Sequence, residues 1–165
     1  MGSVMYRVAK ANDCLALARM RYDFRVKLDR ATEAQARFVR RCAAWMKKEL
    51  KQGLWRCWLA ERDGRVVGHV WVHLIEKIPN PVGESERHAY VSNCYVVPEM
   101  RNQRIGEKLL KQAIAWCRAK GTDAIILWPT TRSRSFYMRC GFEASTRILV
   151  RQQKTRGTHH RRAES

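Results

Sequence analysis

The chain has 165 residues and carries 33 lysines and arginines against 15 aspartates and glutamates, a formal net charge of +18 at pH 7. An apolar content of 45% with six tryptophans argues against a disordered polypeptide, and no apolar run reaches the roughly 20 residues that a membrane-spanning helix needs. The positive charge favours polyanionic partners, such as nucleic acid or a phosphorylated ligand, and argues against a polycationic substrate such as an aminoglycoside.

The first half of the chain alternates between strand and helix patterns. Hydrophobic periodicity and capping residues predict a strand over 6–9, helices over 14–27 and 32–51, and strands over 54–61 and 66–78. Asp63-Gly64 is a strong hairpin signal between the last two strands, and Gly68 is typical of a β-bulge. An antiparallel start to the sheet follows from this order.

The second half continues the same sheet. After a loop over 79–86, the pattern predicts a strand over 88–97, a helix over 104–120, a buried strand over 124–128, a short helix over 131–139 and a last strand over 144–150. We therefore expect an α/β fold with a mixed sheet flanked by helices, in one domain over 5–150. The basic segment over 151–165 is expected to be a mobile tail.

The most informative stretch runs from Val96 to Leu110. A strand ends at Pro98, a short polar loop follows, and an amphipathic helix begins at once. A helix N-terminus has several backbone N–H groups without partners and carries partial positive charge, which together favour a phosphate group. Arg101 and Arg104 add full charges, so this stretch is interpreted as a pyrophosphate site, although both common glycine-rich phosphate motifs are absent.

Two segments resemble the GNAT superfamily of N-acetyltransferases, which use acetyl-coenzyme A. The first is Arg101-Asn102-Gln103-Arg104-Ile105-Gly106, similar to the family's pattern Arg/Gln-x-x-Gly-x-Gly/Ala after the fourth strand. The second is Phe136 to Phe142, similar to its Phe-Tyr-x-x-x-Gly-Phe signature. The resemblance covers about residues 5–150 and implies the family fold, with its fourth and fifth strands splayed apart.

The resemblance also implies where acetyl-CoA would bind. The splayed end of the fourth strand would pair with the pantetheine arm as another strand would, through Cys94, Tyr95 and Val96. The loop and first helical turn would hold the pyrophosphate, through Arg101, Asn102, Gln103, Arg104, Ile105, Gly106 and Glu107. Tyr137 would protonate the departing thiolate, because its phenol is neutral at pH 7 and can donate a proton. The alternative for Tyr137 is a core aromatic beside Phe136 and Phe142.

Arg104 departs from the family pattern, which has glycine there. A positive φ would strain an arginine, so we expect an ordinary helical conformation with the side chain either near phosphate or in solvent. Thr130 and Ser133 stand where the family often has asparagine and alanine, and these changes could alter contacts to pantetheine.

The general base is less well indicated. Candidates lie on or between the third and fourth strands: His73, Glu76, Glu84, Glu86 and His88. Each of them also fits a solvated surface residue, and a water chain could replace a single base. Glu86 and His88 are the preferred candidates.

The first two helices are crowded with basic residues, from Arg19 to Lys51. A solvated face with acidic partners at Asp23, Asp29, Glu33 and Glu49 explains them. They would also suit an anionic acceptor, and Trp45, Trp55 and Trp58 could stack bases or belong to the core. The basic tail is a candidate for nonspecific polyanion contact.

These observations predict an acetyl-CoA-dependent N-acetyltransferase that acts on a primary amine by direct attack. The acceptor could be a small molecule, a protein or an aminoacyl-tRNA. The alternative is a nucleic-acid- or ribosome-binding protein on the same scaffold, with acetylation secondary or lost. A homodimer is a reasonable expectation for this family.

Six cysteines lie at positions 14, 42, 57, 94, 117 and 140, and no two have the C-x-x-C spacing of a zinc site. Their apolar or helical surroundings favour small buried side chains. The missing C-x-x-C spacing argues against a metal ion. Reduced thiols, together with an N-terminus that lacks the apolar stretch of a signal peptide, favour a cytoplasmic protein.

Overall fold

A five-stranded sheet forms the centre of the fold. The computed structural model describes residues 2–151. The strands are β1 (Met5–Val8), β2 (Trp55–Arg62), β3 (Arg65–Glu76), β4 (Arg87–Val96) and β5 (Ala124–Ile126), and they lie in this order across the sheet. The pairings from β1 to β4 are antiparallel, whereas β4 and β5 run parallel. The predicted mixed sheet with an antiparallel first half is confirmed.

Four helices flank the sheet: α1 (Cys14–Val26), α2 (Gln35–Gln52), α3 (Ile105–Ala119) and α4 (Thr131–Arg139). The second helix begins three residues later than the sequence predicted, after Ala34, and no side chain caps it. It ends as predicted at Gly53, whose left-handed backbone (φ 83°) suits glycine. Within residues 2–151, no helix is long and apolar enough to cross a membrane.

The two faces of the sheet differ in chemistry because side chains alternate along β3. Val70, Val72 and Leu74 point to the face covered by α3, where they pack in one core with Leu109 and Leu110. The alternate residues His69, Trp71 and His73 point to the face covered by α1 and α2, where Trp71 packs with residues such as Leu17 and Val39. Along β3, the side chains are therefore aliphatic on one face and aromatic on the other.

Strand β4 carries a bulge near its end. His69 pairs with Tyr95 and Trp71 with Ser92, so Asn93 and Cys94 together oppose the single residue Val70. Asn93 has a positive φ of 50°. A second bulge lies in β3, where Ala60 pairs with Gly68 and Glu61 with Val66, which confirms the bulge expected at Gly68.

The fifth strand pairs with only part of β4. Its three residues pair with His88, Ala89 and Tyr90, so among the described residues the backbone from Val91 to Val96 has no strand on its β5 side. The sequence predicted β5 to reach Trp128, but it ends at Ile126 because the two strands diverge. This is the splay that the family resemblance implied.

The predicted last strand is wrong. Residues 144–151 form no strand, and Ile148, Leu149 and Val150 are exposed. Their alternating pattern lacks a neighbouring strand with which to pair, and an unpaired strand is not stable alone. The basic tail over 152–165 lies outside the described residues.

Candidate active site

The loop between β4 and α3 presents free N–H groups. A short turn over Pro98–Met100 follows β4, and α3 begins at Ile105. The Lys108 N–H donates to the Arg104 carbonyl at 3.1 Å, so among the described residues the N–H groups of Ile105 to Glu107 have no backbone acceptor. These groups and the positive end of the helix dipole face one way, as an anion site requires.

The backbone of Arg104 contradicts the expectation of an ordinary helical conformation. It is left-handed, with φ 59° and ψ 14°, and Asn102 is left-handed as well at φ 62°. Two such residues turn the chain sharply enough to start α3 directly after the loop. Glycine accepts this conformation without cost, and an arginine there costs about 1 kcal/mol or more.

The charged side chains of the loop are already engaged. Arg101 donates from Nε to the Val96 carbonyl at 3.1 Å, which ties the loop to the end of β4. Arg104 is 79% exposed and donates from Nε to Glu107 at 3.1 Å, and Lys111 contacts the same carboxylate at 3.0 Å. These two cations lower the pKa of Glu107, Lys111 more than Arg104. Gln103 is exposed and makes only long contacts.

Gly106 brings the first turn of α3 against α4. A Cβ at this position would lie 3.3 Å from Cζ of Phe136 and 3.7 Å from Val96, closer to the ring than an ordinary contact. Ile105 beside it is 2% exposed and anchors the turn in the core. A residue without a side chain therefore keeps the start of α3, the end of β4 and α4 in contact.

Tyr137 lies beside the open part of β4. Its ring packs between Phe136 and Phe142, with centroids 5.1 and 5.8 Å away. The Cys94 thiol is its polar neighbour, and burial, followed by this thiol, raises the pKa of the Tyr137 phenol above its usual value. Burial also raises the pKa of Cys94 to about 12. Both groups are therefore protonated at neutral pH.

Thr130 and Ser133, which stand where the family often has asparagine and alanine, form a reciprocal cap at the start of α4. The Ser133 N–H donates to Thr130 Oγ1 at 3.3 Å, and the Thr130 N–H donates to Ser133 Oγ at 2.9 Å. This capping box satisfies two helix-end donors. The cap fixes the start of the helix that carries Tyr137.

Glu86 and His88 are placed at the other end of β4. Glu86 accepts the Asn80 N–H at 3.1 Å, and His88 Nδ1 lies 2.6 Å from Asp123, which also contacts Lys77 at 2.7 Å. Six residues along the strand separate His88 from Cys94, which corresponds to roughly 20 Å. An open hollow of about 540 Å³ lies there, so the structure does not bring the preferred base candidates to Tyr137.

A second, aromatic cleft of about 300 Å³ opens on the α1–α2 face of the sheet. We call it the tryptophan cleft. Its walls come from α1, α2, β2, β3 and the bulge of β4, and its main residues are Arg21, Phe38, Arg41, Trp45, Trp55, Trp71, Ser92 and Asn93. The sequence predicted that Trp45, Trp55 and Trp58 would either stack bases or belong to the core. Trp58 is buried on the α3 face, whereas Trp45 and Trp55 line the cleft.

The sequence did not predict that the residues of the cleft lie together. The alternation of His69, Trp71 and His73 on β3 was the available signal, because it marks a strand face that is neither aliphatic nor solvated. The ring centroid of Trp71 lies 6.4 Å from those of both Trp45 and Trp55. Position along the chain does not reveal which helix side chains meet that face.

The aromatic face also contains buried polar atoms without partners. In the part of the chain that the structure describes, both ring nitrogens of His69 and Nε1 of Trp71 are buried without a hydrogen bond. Burial, followed by the nearby Arg21, lowers the pKa of His69 to about 3. His69 is therefore neutral at physiological pH.

Comparisons with known proteins agree with the geometry. The model of the acetyltransferase (GNAT) family matches residues 19–142. An uncharacterised N-acetyltransferase from Methanocaldococcus jannaschii is 29% identical over 107 residues, which cover 60% of this chain and 42% of the relative. The chain thus spans less than half the length of that relative.

Two solved structures have a similar fold. A predicted acetyltransferase with acetyl-CoA from Clostridium acetobutylicum is 20% identical, with a TM-score of 0.73 over 91% of this chain and 96% of that one. A GCN5-related N-acetyltransferase from Ralstonia eutropha is 23% identical, with a TM-score of 0.73 over 91% of this chain and 99% of that one. The fold, the family model and the loop before α3 agree, and the chain belongs to the acetyltransferase (GNAT) family.

Proposed function

We propose that this protein is an N-acetyltransferase that transfers the acetyl group of acetyl-CoA to a primary amine by direct attack. The observation that carries the proposal is the open edge of β4 beside Tyr137, next to the free N–H groups at the start of α3. Family membership supports it. Acetyl-CoA supplies the acetyl group as a thioester.

The residues present fit this substrate. The unpaired backbone from Val91 to Val96 can hydrogen-bond an amide-containing arm as a strand would. The N–H groups of Ile105, Gly106 and Glu107 can bind the pyrophosphate. Arg104 is turned toward Glu107 and solvent, so the backbone supplies most of this binding.

Tyr137 is the proposed general acid. Its phenol lies next to Cys94 in the open part of β4, and burial holds its pKa above the usual value, so it carries its proton at neutral pH. It can give that proton to the departing sulfur. Glu86 and His88 hold other contacts at the far end of β4, so we propose that water, and neither of these residues, takes the proton from the amine.

The nucleic-acid-binding alternative has less support. On α1 and α2, Arg41 pairs with Glu33, and the described residues include no other ion pair on these helices. The remaining cations would suit a polyanion, but membership of an acetyltransferase family favours an enzyme. Retention on heparin with a steep salt dependence would favour the alternative.

Tyr137→Phe tests the proposal. We expect acetyl-CoA to raise the melting temperature of both wild type and variant, because a ligand that binds the native state stabilises it. Turnover, followed as free thiol released from acetyl-CoA in a screen of amines, should fall by about 100-fold or more in the variant. Tyr6→Phe, which removes a phenol from β1, is the control. Absence of any stabilisation by acetyl-CoA would refute the proposed function, and unchanged turnover would leave Tyr137 as a packing residue.

A further inference from the structure

The tryptophan cleft adjoins the open part of β4. Ser92 and Asn93 belong both to its wall and to the stretch of β4 that β5 leaves unpaired. Cys94, next along the strand, contacts Tyr137. A molecule in the cleft therefore lies beside the backbone that we assign to the acetyl donor, so the chemistry of the cleft bears on the acceptor.

Flat apolar surfaces dominate the cleft. Trp45 meets Trp55 edge to face with centroids 5.4 Å apart, and Trp71 completes the group. Phe38 adds a fourth ring. Such walls favour an aromatic or other apolar body, and a volume of about 300 Å³ limits it to the size of an aromatic amino acid.

Arg21 supplies an uncompensated charge at the same place. Its side chain is half-buried, and Nη1 donates to Asn93 Oδ1 at 3.2 Å. No carboxylate pairs with it among residues 2–151, whereas the other arginine of the cleft, Arg41, pairs with Glu33. Burial and the neighbouring Arg25 lower the pKa of Arg21, because a partly desolvated cation without a counter-ion is unfavourable. An anion bound there would relieve this cost.

Among the residues that the structure describes, no aspartate or glutamate lines the cleft. An acceptor with several positive charges would meet the uncompensated guanidinium of Arg21, and would be disfavoured. An acceptor with one anionic group would pair with a guanidinium through charge-assisted hydrogen bonds. The side chains around the cleft therefore distinguish acceptors by charge as well as by shape.

We infer that the acceptor is a small amine with an aromatic or apolar body and an anionic group, such as a carboxylate, which pairs with Arg21 in the tryptophan cleft. This inference rests on the proposed function, since it concerns the acceptor of the same reaction. Arg21 is then a residue that determines acceptor specificity, acting through its contact with the acceptor's anionic group.

The test measures kcat/KM for two matched amines, phenylalanine and its neutral amide phenylalaninamide, with spermidine as a polycation and the phosphonate analogue of phenylalanine as a second anion. The wild type should prefer the anions. Arg21→Gln should reduce the ratio of phenylalanine to phenylalaninamide roughly tenfold to a hundredfold. Arg21→Lys should retain most of the preference, and Arg19→Gln, on the exposed side of α1, should leave it unchanged.

A comparison of ratios removes the intrinsic difference in reactivity between the two amines. An unchanged ratio in Arg21→Gln, or spermidine as the preferred acceptor, would overturn the inference while leaving acetyl transfer intact. A preference for the phosphonate over phenylalanine would identify the anion as phosphate-like rather than a carboxylate.

A binding measurement separates this inference from the proposed function. The probe is 3-phenylpropionate, added to the protein at saturating coenzyme A, with quenching of tryptophan fluorescence as the readout. If the probe binds and Arg21→Gln weakens this binding at least tenfold, the result supports the inference even if no amine is acetylated. Absence of acetylation would then count against the proposed function alone. Failure of the probe to bind would overturn the inference.

Discussion

The two faces of the central sheet differ in how completely the helices fill the space above them. On the α3 face, β3 presents Val70, Val72 and Leu74, which are 0–8% exposed and pack against α3. On the α1–α2 face, the same strand presents His69, Trp71 and His73, and a cleft of about 300 Å³ remains open above Trp71. One strand thus supports both a closed core and an open cleft.

The difference follows from side-chain chemistry. Branched aliphatic residues fill space on a pleated surface without polar atoms to satisfy. Indole and imidazole rings are rigid, and each brings a polar atom that needs a partner. The aromatic face keeps three such atoms buried and unpartnered among the described residues, at His69 and Trp71. Among the same residues the α3 face holds one such atom, Nε1 of Trp116, so the aromatic face has more polar atoms left without a partner.

The largest effect should come from removing a tryptophan on the closed face. Trp58 is 5% exposed and packs on Trp116, so Trp58→Ala should lower the free energy of unfolding by about 3–5 kcal/mol. Trp45 is 44% exposed, so Trp45→Ala should cost only about 1 kcal/mol while raising the KM for the acceptor. Urea denaturation measures the free energy, and Trp58→Phe serves if the alanine variant does not fold. Equal costs for the two alanine variants would contradict the comparison.

A pH dependence should arise from the aromatic face. The pKa of His69 is about 3 in the folded protein and about 6.5 in an unfolded chain, so between these values the unfolded chain binds the proton and the folded chain does not. Stability is full above about pH 6.5 and falls by up to about 1.4 kcal/mol per pH unit as the pH drops toward 3.

His69→Leu should flatten this dependence, as followed by urea denaturation between pH 4 and 7. His88→Gln, which changes the half-exposed histidine beside Asp123, should keep the dependence steep. A His69→Leu profile as steep as that of the wild type would contradict the buried neutral state of His69.

Gly106→Val tests the contact between α3 and α4 on the closed face. The first added carbon already lies 3.3 Å from Phe136, so valine should overpack this contact at a cost of about 1–3 kcal/mol. It should also displace the first turn of α3, whose N–H groups are proposed to bind the pyrophosphate, and the thermal stabilisation by acetyl-CoA should disappear. Gly106→Ala is the graded control, and full stabilisation of the valine variant by acetyl-CoA would separate this glycine from coenzyme binding.

The smallest effect is expected at Arg104. Arg104→Gly should relieve the left-handed strain, but it makes the unfolded chain more flexible and removes the contact with Glu107. The free energy of unfolding should therefore change by less than about 1 kcal/mol, again by urea denaturation. Acetyl-CoA affinity should stay within a few-fold, and a large loss would assign phosphate binding to the side chain.

Local signals predicted most of the elements. The bounds of α4 are as predicted, and Asp63-Gly64 does form the turn between β2 and β3. The pair of motifs around Gly106 and Tyr137 predicted the family, because each motif is a run of neighbouring residues that can be recognised in the sequence alone.

Features that depend on distant partners were not predictable in this way. The bulge at Asn93 needs the register of β3, and the strand expected over 144–150 lacked a neighbour to pair with. The tryptophan cleft joins α1 and α2 to β3 and β4. Glu86 immediately precedes β4 and His88 belongs to it, but nothing in the local sequence indicated which end of this strand lies beside Tyr137.

The thiol of Cys94 bears on whether the acetyl group passes through a covalent intermediate before it reaches the amine. It contacts Tyr137, so a reactive thiol there could take the acetyl group before the amine does. Burial raises the pKa of Cys94 to about 12, so the thiol is protonated at pH 7, and only the thiolate attacks. We therefore expect no acetylated intermediate at Cys94, and for the direct transfer proposed above double-reciprocal plots of initial rates should intersect instead of running parallel.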